Sequence, residues 1–96
     1  MPRAKLDDEA IAGFLAAHSN WMRDGDFLVR EHVASDARAA LRLIARIGDL
    51  AEGANHHPNL EWVYNRLTIR LQTHDAGGIT SRDTHLAGCI DDVLAG

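Results

Sequence analysis

Pro58-Asn59-Leu60-Glu61-Trp62-Val63-Tyr64-Asn65-Arg66-Leu67-Thr68-Ile69-Arg70-Leu71 is the stretch that decides the fold. Its apolar residues fall at every second position: Leu60, Trp62 and Tyr64 before the polar pair Asn65-Arg66, then Leu67, Ile69 and Leu71 after it. Side chains alternate across a strand, so this spacing predicts two half-buried strands joined by a tight turn. Upstream, Trp21 to Val33 repeats the arrangement around the turn signal Asp24-Gly25-Asp26, with Phe27, Val29 and Val33 expected on one face. Between the hairpins the apolar period lengthens. Ser35 and Asp36 offer caps for a long helix in which Ala37, Ala40, Leu41, Ile44, Ile47, Gly48 and Ala51 form one continuous stripe. That stripe is expected to lie on a sheet, with Gly48 either permitting closer approach or merely tolerated.

Two further helices flank this centre. Asp7 or Asp8 caps the first, whose Ile11, Phe14, Leu15 and His18 share a face and which should end near Ser19. Thr80-Ser81-Arg82-Asp83 reads as a capping box with aspartate in the usual glutamate place, followed by Leu86, Ala87, Ile90, Val93 and Leu94 on one helical face. The resulting order, α-β-β-α-β-β-α without a parallel crossover, predicts an α+β fold: a four-stranded antiparallel sheet with helices packed on one face. Ninety-six residues, 46% of them apolar, suit a single domain over 1–96 with a small core.

Charge narrows the class of partner. A formal net charge of -4, with basic residues dispersed, argues against direct binding of nucleic acid or an anionic membrane surface. Arg38, Arg42 and Arg46 recur every four residues, but Asp49 interrupts the field, so a solvated face competes with a phosphate-binding stripe. The segment from Met1 to Asp8 turns acidic before any long apolar run, and no stretch approaches a membrane span, so a cytoplasmic protein is expected. Cys89 is the only cysteine, which leaves no internal disulfide, and its place in the apolar pattern predicts a buried inert thiol.

Chemistry concentrates in two clusters, Asn55-His56-His57-Pro58 and Thr73-His74-Asp75-Ala76-Gly77-Gly78-Ile79-Thr80. Imidazole titrates near neutral pH, so such groups pass protons without metal or cofactor. Pro58 stops helical winding at the point where His56 and His57 point in different directions. One can face a cleft while its neighbour supports it, and His74 can approach from the opposite wall. Glu52 sits at the unfavourable negative end of the long helix; if the helix runs on through Asn55, the carboxylate and His56 share a face. The alternative is an exposed glutamate. A His-only metal site is disfavoured because adjacent histidines chelate poorly, and no G-x-S-x-G elbow or phosphate-cradling glycine motif is present. His18, His32 and His85 are expected to cap helices or bond to the backbone.

Taken together, Glu52-x-x-x-His56-His57-Pro58, Tyr64-Asn65 and Thr73-His74-x-x-Gly77-Gly78-Ile79-Thr80-x-x-Asp83 resemble the pterin-4a-carbinolamine dehydratases. The resemblance implies the same element order. It also implies dehydration of 4a-hydroxytetrahydropterin to quinonoid dihydropterin, which regenerates pterin cofactor after aromatic amino acid hydroxylation, with no cofactor or metal of the enzyme's own. By that resemblance His56, His57 and His74 are the catalytic set and Glu52 orients or charges one of them. Trp21, Pro58 and Thr73 would border the pterin, and Asp83 would support the site. This chain carries His32, Ala34 and Ala37 where the family commonly has phenylalanines, and Leu60 where an aromatic commonly follows the proline, changes that bear on packing and subunit contacts. A homodimer or homotetramer is expected from the small core and exposed sheet edges, with a functional link to an aromatic amino acid hydroxylase. The competing reading is a binding, assembly-chaperone or dimerisation protein on the same fold.

Overall fold

A computed structural model describes residues 4–95; residues 1–3 and 96, the ends of the domain expected over 1–96, lie outside the described residues. The elements follow the predicted order: α1 (Asp8–Ala17), β1 (Trp21–Asp24), β2 (Phe27–Val33), α2 (Ala37–Ala54), β3 (Asn59–Val63), β4 (Arg66–Leu71), a 3-10 turn (His74–Ala76) and α3 (Ser81–Ala95). Side-chain oxygens satisfy amides that each helix start leaves without a partner. Asp7 accepts from the Ala10 amide at 2.8 Å, and Asp36 from the Ala39 amide at 2.7 Å. At α3 the predicted capping box forms: Asp83 Oδ2 accepts from the Thr80 amide at 2.9 Å while Thr80 Oγ1 accepts from the Arg82 amide at 3.2 Å. α1 stops at Ala17, slightly before the expected Ser19, with His18 as its C-cap.

The sheet is antiparallel throughout, in the order β1-β2-β4-β3, so the two hairpins meet along β2 and β4. Register determines which side chains meet the helices. Leu28 lies opposite Leu71, Arg30 opposite Ile69 and His32 opposite Leu67, and these leucines and isoleucine are fully buried in the core with Ile11, Ile47 and Ile90. Each such side chain contributes about 1.5–3 kcal/mol by leaving water. Phe27, Val29 and Val33 share one face, as their spacing predicts, and that face is the helix-free one. Apolar spacing alone could not reveal this, because Arg30 and His32 occupy the inward positions and hide the pattern.

Polar partners explain how an arginine fits there. Asp91 of α3 accepts from Arg30 Nη1, from Trp21 Nε1 at 2.7 Å and from the His18 ring at 2.9 Å, while Arg30 Nε is buried without a partner. Burial pushes the Asp91 carboxyl up, but hydrogen bonds from His18, Trp21 and Arg30, with the Arg30 charge, outweigh it and hold the group below the usual carboxylate range. The same charge adds to partial burial in lowering His32.

Two local expectations change, for Tyr64 and Cys89, and the alternative left open at Gly48 closes. Tyr64 lies in the turn with φ of 53° and is exposed, so it does not continue the strand face. A Cβ at Gly48 would meet nothing within 4 Å, so this glycine serves no close helix–sheet approach. Cys89 is half-buried, with Sγ 3.9 Å from His85 Nε2, because it borders the inward stripe. Arg38, Arg42 and Arg46 are all exposed.

Candidate active site

α2 ends in a turn that delivers both adjacent histidines. Asn55 adopts the left-handed conformation, the Asn55 amide donates to Glu52 O at 3.2 Å and the His56 amide to Ala51 O at 3.0 Å, the paired bonds of a Schellman motif. Because the helix stops at Ala54, the expected Glu52–His56 pairing on a helical face does not form. The turn carries His56 inward and lets His57 reach back. Glu52 and His57 Nε2 are hydrogen-bonded at the surface, so it is His57 that the carboxylate holds. Arg82 of α3 fastens the turn by donating to Asn55 O at 2.6 Å.

His56 is buried, and its Nε2 lies 2.5 Å from Asp83 Oδ1. The fully buried Asp83 carboxylate also accepts from Thr73 Oγ1 at 2.8 Å and from the Thr80 amide. Since the Thr73 proton goes to the carboxylate, the 2.7 Å contact between the two threonine hydroxyls requires Thr80 Oγ1 to donate to Thr73. Every oxygen of the cluster is thereby assigned a partner. Asp83 thus does both of the things its position suggests: it closes the α3 cap and fixes the His56 ring, with Nε2 as the donor.

His74 opens the short loop after β4. Thr73 and Gly78 close that loop as an isolated bridge, with the Thr73 amide donating to Gly78 O at 2.9 Å, and Gly77 turns it at φ of 71° where a side chain would be strained. The Leu6 amide, donating to Ile79 O at 2.8 Å, ties the N-terminal segment to its far side.

His57 and His74 meet across a cleft of about 270 Å³ lined by Phe27, His57, Asn59, Arg70, Gln72 and His74. The structure thus divides the three histidines: two face one space, and His56 stands outside the lining, anchored to Asp83. Thr73 is fully buried behind them and Pro58, half-buried, follows His57. Trp21 is not among the lining residues; only 4% exposed, it faces the helices from the first position of β1 and is bonded to Asp91. The arrangement corrects the expectation that Trp21 borders this cleft within one chain. Phe27, Asn59, Arg70 and Gln72 were not singled out from sequence. Their common signal was present, since each lies at a strand end or in β4 on the side opposite Leu67, Ile69 and Leu71. Among the described residues, no group of three or more His, Cys, Asp or Glu side chains is placed to hold a metal ion.

A family model, Pterin 4 alpha carbinolamine dehydratase, matches residues 4–93. The chain belongs to this dehydratase family. A provisionally named pterin-4-alpha-carbinolamine dehydratase of Thermomicrobium roseum is 48% identical over 84 residues, covering 88% of this chain and 90% of that protein. Another, from Nocardia farcinica, is 41% identical over 88 residues, covering 92% and 93%. The family fold extends to a solved structure from Brucella melitensis, described as a transcriptional coactivator/pterin dehydratase. It superposes with a TM-score of 0.90 at 25% identity, covering 94% of this chain and 98% of that one. Among the described residues of this dehydratase-family chain, no helix is long and apolar enough to cross a membrane.

Proposed function

We propose that this protein is a hydro-lyase that eliminates water from 4a-hydroxytetrahydropterin to give quinonoid dihydropterin, a step of cytoplasmic pterin recycling. The observation that carries the reading is the pair His57 and His74 facing one cleft, with His57 held by Glu52, within a chain of the dehydratase family. The reaction needs a proton delivered to the leaving 4a-oxygen while the N5 electron pair expels it, and a base to take a proton from a ring nitrogen of the cation that remains. Two imidazoles on facing walls supply a donor and an acceptor without net proton consumption. Glu52 occupies His57 Nε2, leaving Nδ1 for the substrate. His56 and Asp83 position the turn from which His57 projects, and Thr73 and Thr80 hold that carboxylate in place. The bicyclic ring requires no fixed metal to expel the protonated 4a-oxygen as water, because N5 supplies the electrons. Homodimer or homotetramer formation and supply of substrate by an aromatic amino acid hydroxylase complete the proposal.

The test is a coupled assay that forms the 4a-hydroxypterin in situ and follows quinonoid product with and without the protein, from about pH 6 to 9. Acid–base catalysis of this kind is worth about 10²- to 10⁴-fold. A second reading, a non-catalytic binding or dimerisation protein, draws on the description of the Brucella neighbour and on Leu41 and Trp62, each 44% exposed beside Arg38. An unchanged rate of product across the range favours that second reading.

A further inference from the structure

Dehydration uses a proton donor and a proton acceptor; it has no need of the permanent cation that also lines the cleft. Arg70 projects from β4 on the helix-free face, between its register partners Val29 of β2 and Asn59 of β3. Together with Asn59 it also lines an adjoining groove of about 320 Å³, so the cleft continues past Arg70 along the open face of the sheet. The guanidinium is held from two sides: Nη2 donates to Asp24 Oδ2 at 3.0 Å, and its central carbon lies 4.7 Å from the Phe27 ring centroid. At 36% exposure the side chain still reaches solvent. A guanidinium has five donors in a planar fork, and a fork already fixed by a carboxylate and a ring loses little freedom when an anion takes its other donors.

The charge on the cleft lining itself has one sense. The six residues lining the cleft include Arg70 and two imidazoles but no carboxylate; of the carboxylates around it, Asp24 is bonded to Arg70 and Glu52 to His57, while Asp26 and Asp75 adjoin Phe27 and His74 in the chain without entering the lining. Glu61, in the groove beyond, is the one acidic residue of its lining. An anionic group is therefore favoured at the junction of the two spaces, not farther along the sheet. On a pterin the substituent at C6 adjoins N5, so a ring whose C4a is presented to His57 and His74 sends that substituent out of the catalytic cleft.

Resting on the dehydratase reading above, we infer that Arg70 is a specificity-determining residue that recognises an anionic group, carboxylate or phosphate, on the C6 side chain of the pterin substrate. Two matched probe pairs separate the sources: dihydroneopterin against its monophosphate, and hydroxymethylpterin against carboxypterin. Dissociation constants for the wild-type protein are expected to be lower by about tenfold or more for the anionic member of at least one pair, and the pair that responds identifies the group. In Arg70→Gln that ratio is expected to fall to about one, in Arg70→Lys to an intermediate value, and in Arg66→Gln, which alters an arginine paired with Glu31 outside both cavities, to stay as in wild type. Equal constants within both pairs in the wild type overturn the inference, as does a preference that survives Arg70→Gln. Dehydration of a substrate with a neutral side chain, measured in parallel, separates the two levels. Full activity without anion preference defeats the Arg70 assignment alone, and anion preference without activity defeats the dehydratase reading alone.

Discussion

Asp83 shows how one side chain joins fold to chemistry. Its carboxylate closes the N-terminus of α3 and fixes the ring of His56, so its replacement acts on both. Asp83→Asn keeps the shape but offers only one acceptor oxygen, leaving either His56 or the pair Thr73 and Thr80 mismatched. Chemical denaturation is expected to register a loss of about 1–3 kcal/mol. Steady-state kinetics on the folded fraction are expected to show kcat lower by about tenfold or more with KM little changed, since the group misplaces a catalytic turn without touching substrate. Asp91 makes a separate prediction about pH. Its folded pKa lies below the unfolded value, so it stabilises the protein above roughly pH 4, and this is lost as pH falls through the lowered folded pKa. His32 is likewise lowered, here by burial and then by Arg30, so protonation favours the unfolded chain and stability declines as pH falls below about 6.5. Urea unfolding of Asp91→Asn is expected to show lower stability at neutral pH and a weaker decline below about pH 4; an unchanged acid limb would contradict the assignment.

At the scale of elements, the hairpins and the helix starts were legible because alternation and caps are local signals. Leu67, Ile69 and Leu71 faced the core as spaced, and Asp7, Asp36 and Thr80 began their helices. The inward face of β2 was not legible. Arg30 is stabilised there by Asp91, a partner distant in sequence, and no window along the strand contains that information. The Glu52 pairing failed for a related reason: a Schellman turn ending at Asn55 moved the bond from His56 to His57, and a one-residue difference in the helix end decides it. Open space around Gly48 carries an expectation of its own. Gly48→Ala should raise stability by about 0.5–1 kcal/mol, read as an increase of several degrees in Tm, because the added methyl strikes nothing and the unfolded chain loses freedom.

Across the whole molecule, the site lies where the C-terminus of α2, the loop after β4 and the start of α3 come together at one end of the sheet. The helices cover one face and stabilise the chain; the other face stays open and, near Arg70, leads out of the cleft. The two histidine clusters were legible from their spacing, but that His57 and His74 share the cleft while His56 turns away to Asp83 was not, and the lining by Phe27, Asn59, Arg70 and Gln72 emerges only when β2, β3 and β4 pair. The most direct measurement is stopped-flow dehydration of 4a-hydroxytetrahydropterin by wild type, His57→Ala, His74→Ala and His85→Ala. Each of the first two substitutions is expected to lower the rate by about 10²- to 10⁴-fold, while His85→Ala, at an exposed position of α3, retains wild-type turnover. Rates that are equal in all four proteins, or no acceleration by wild type over the uncatalysed reaction, would contradict catalysis in the cleft between His57 and His74.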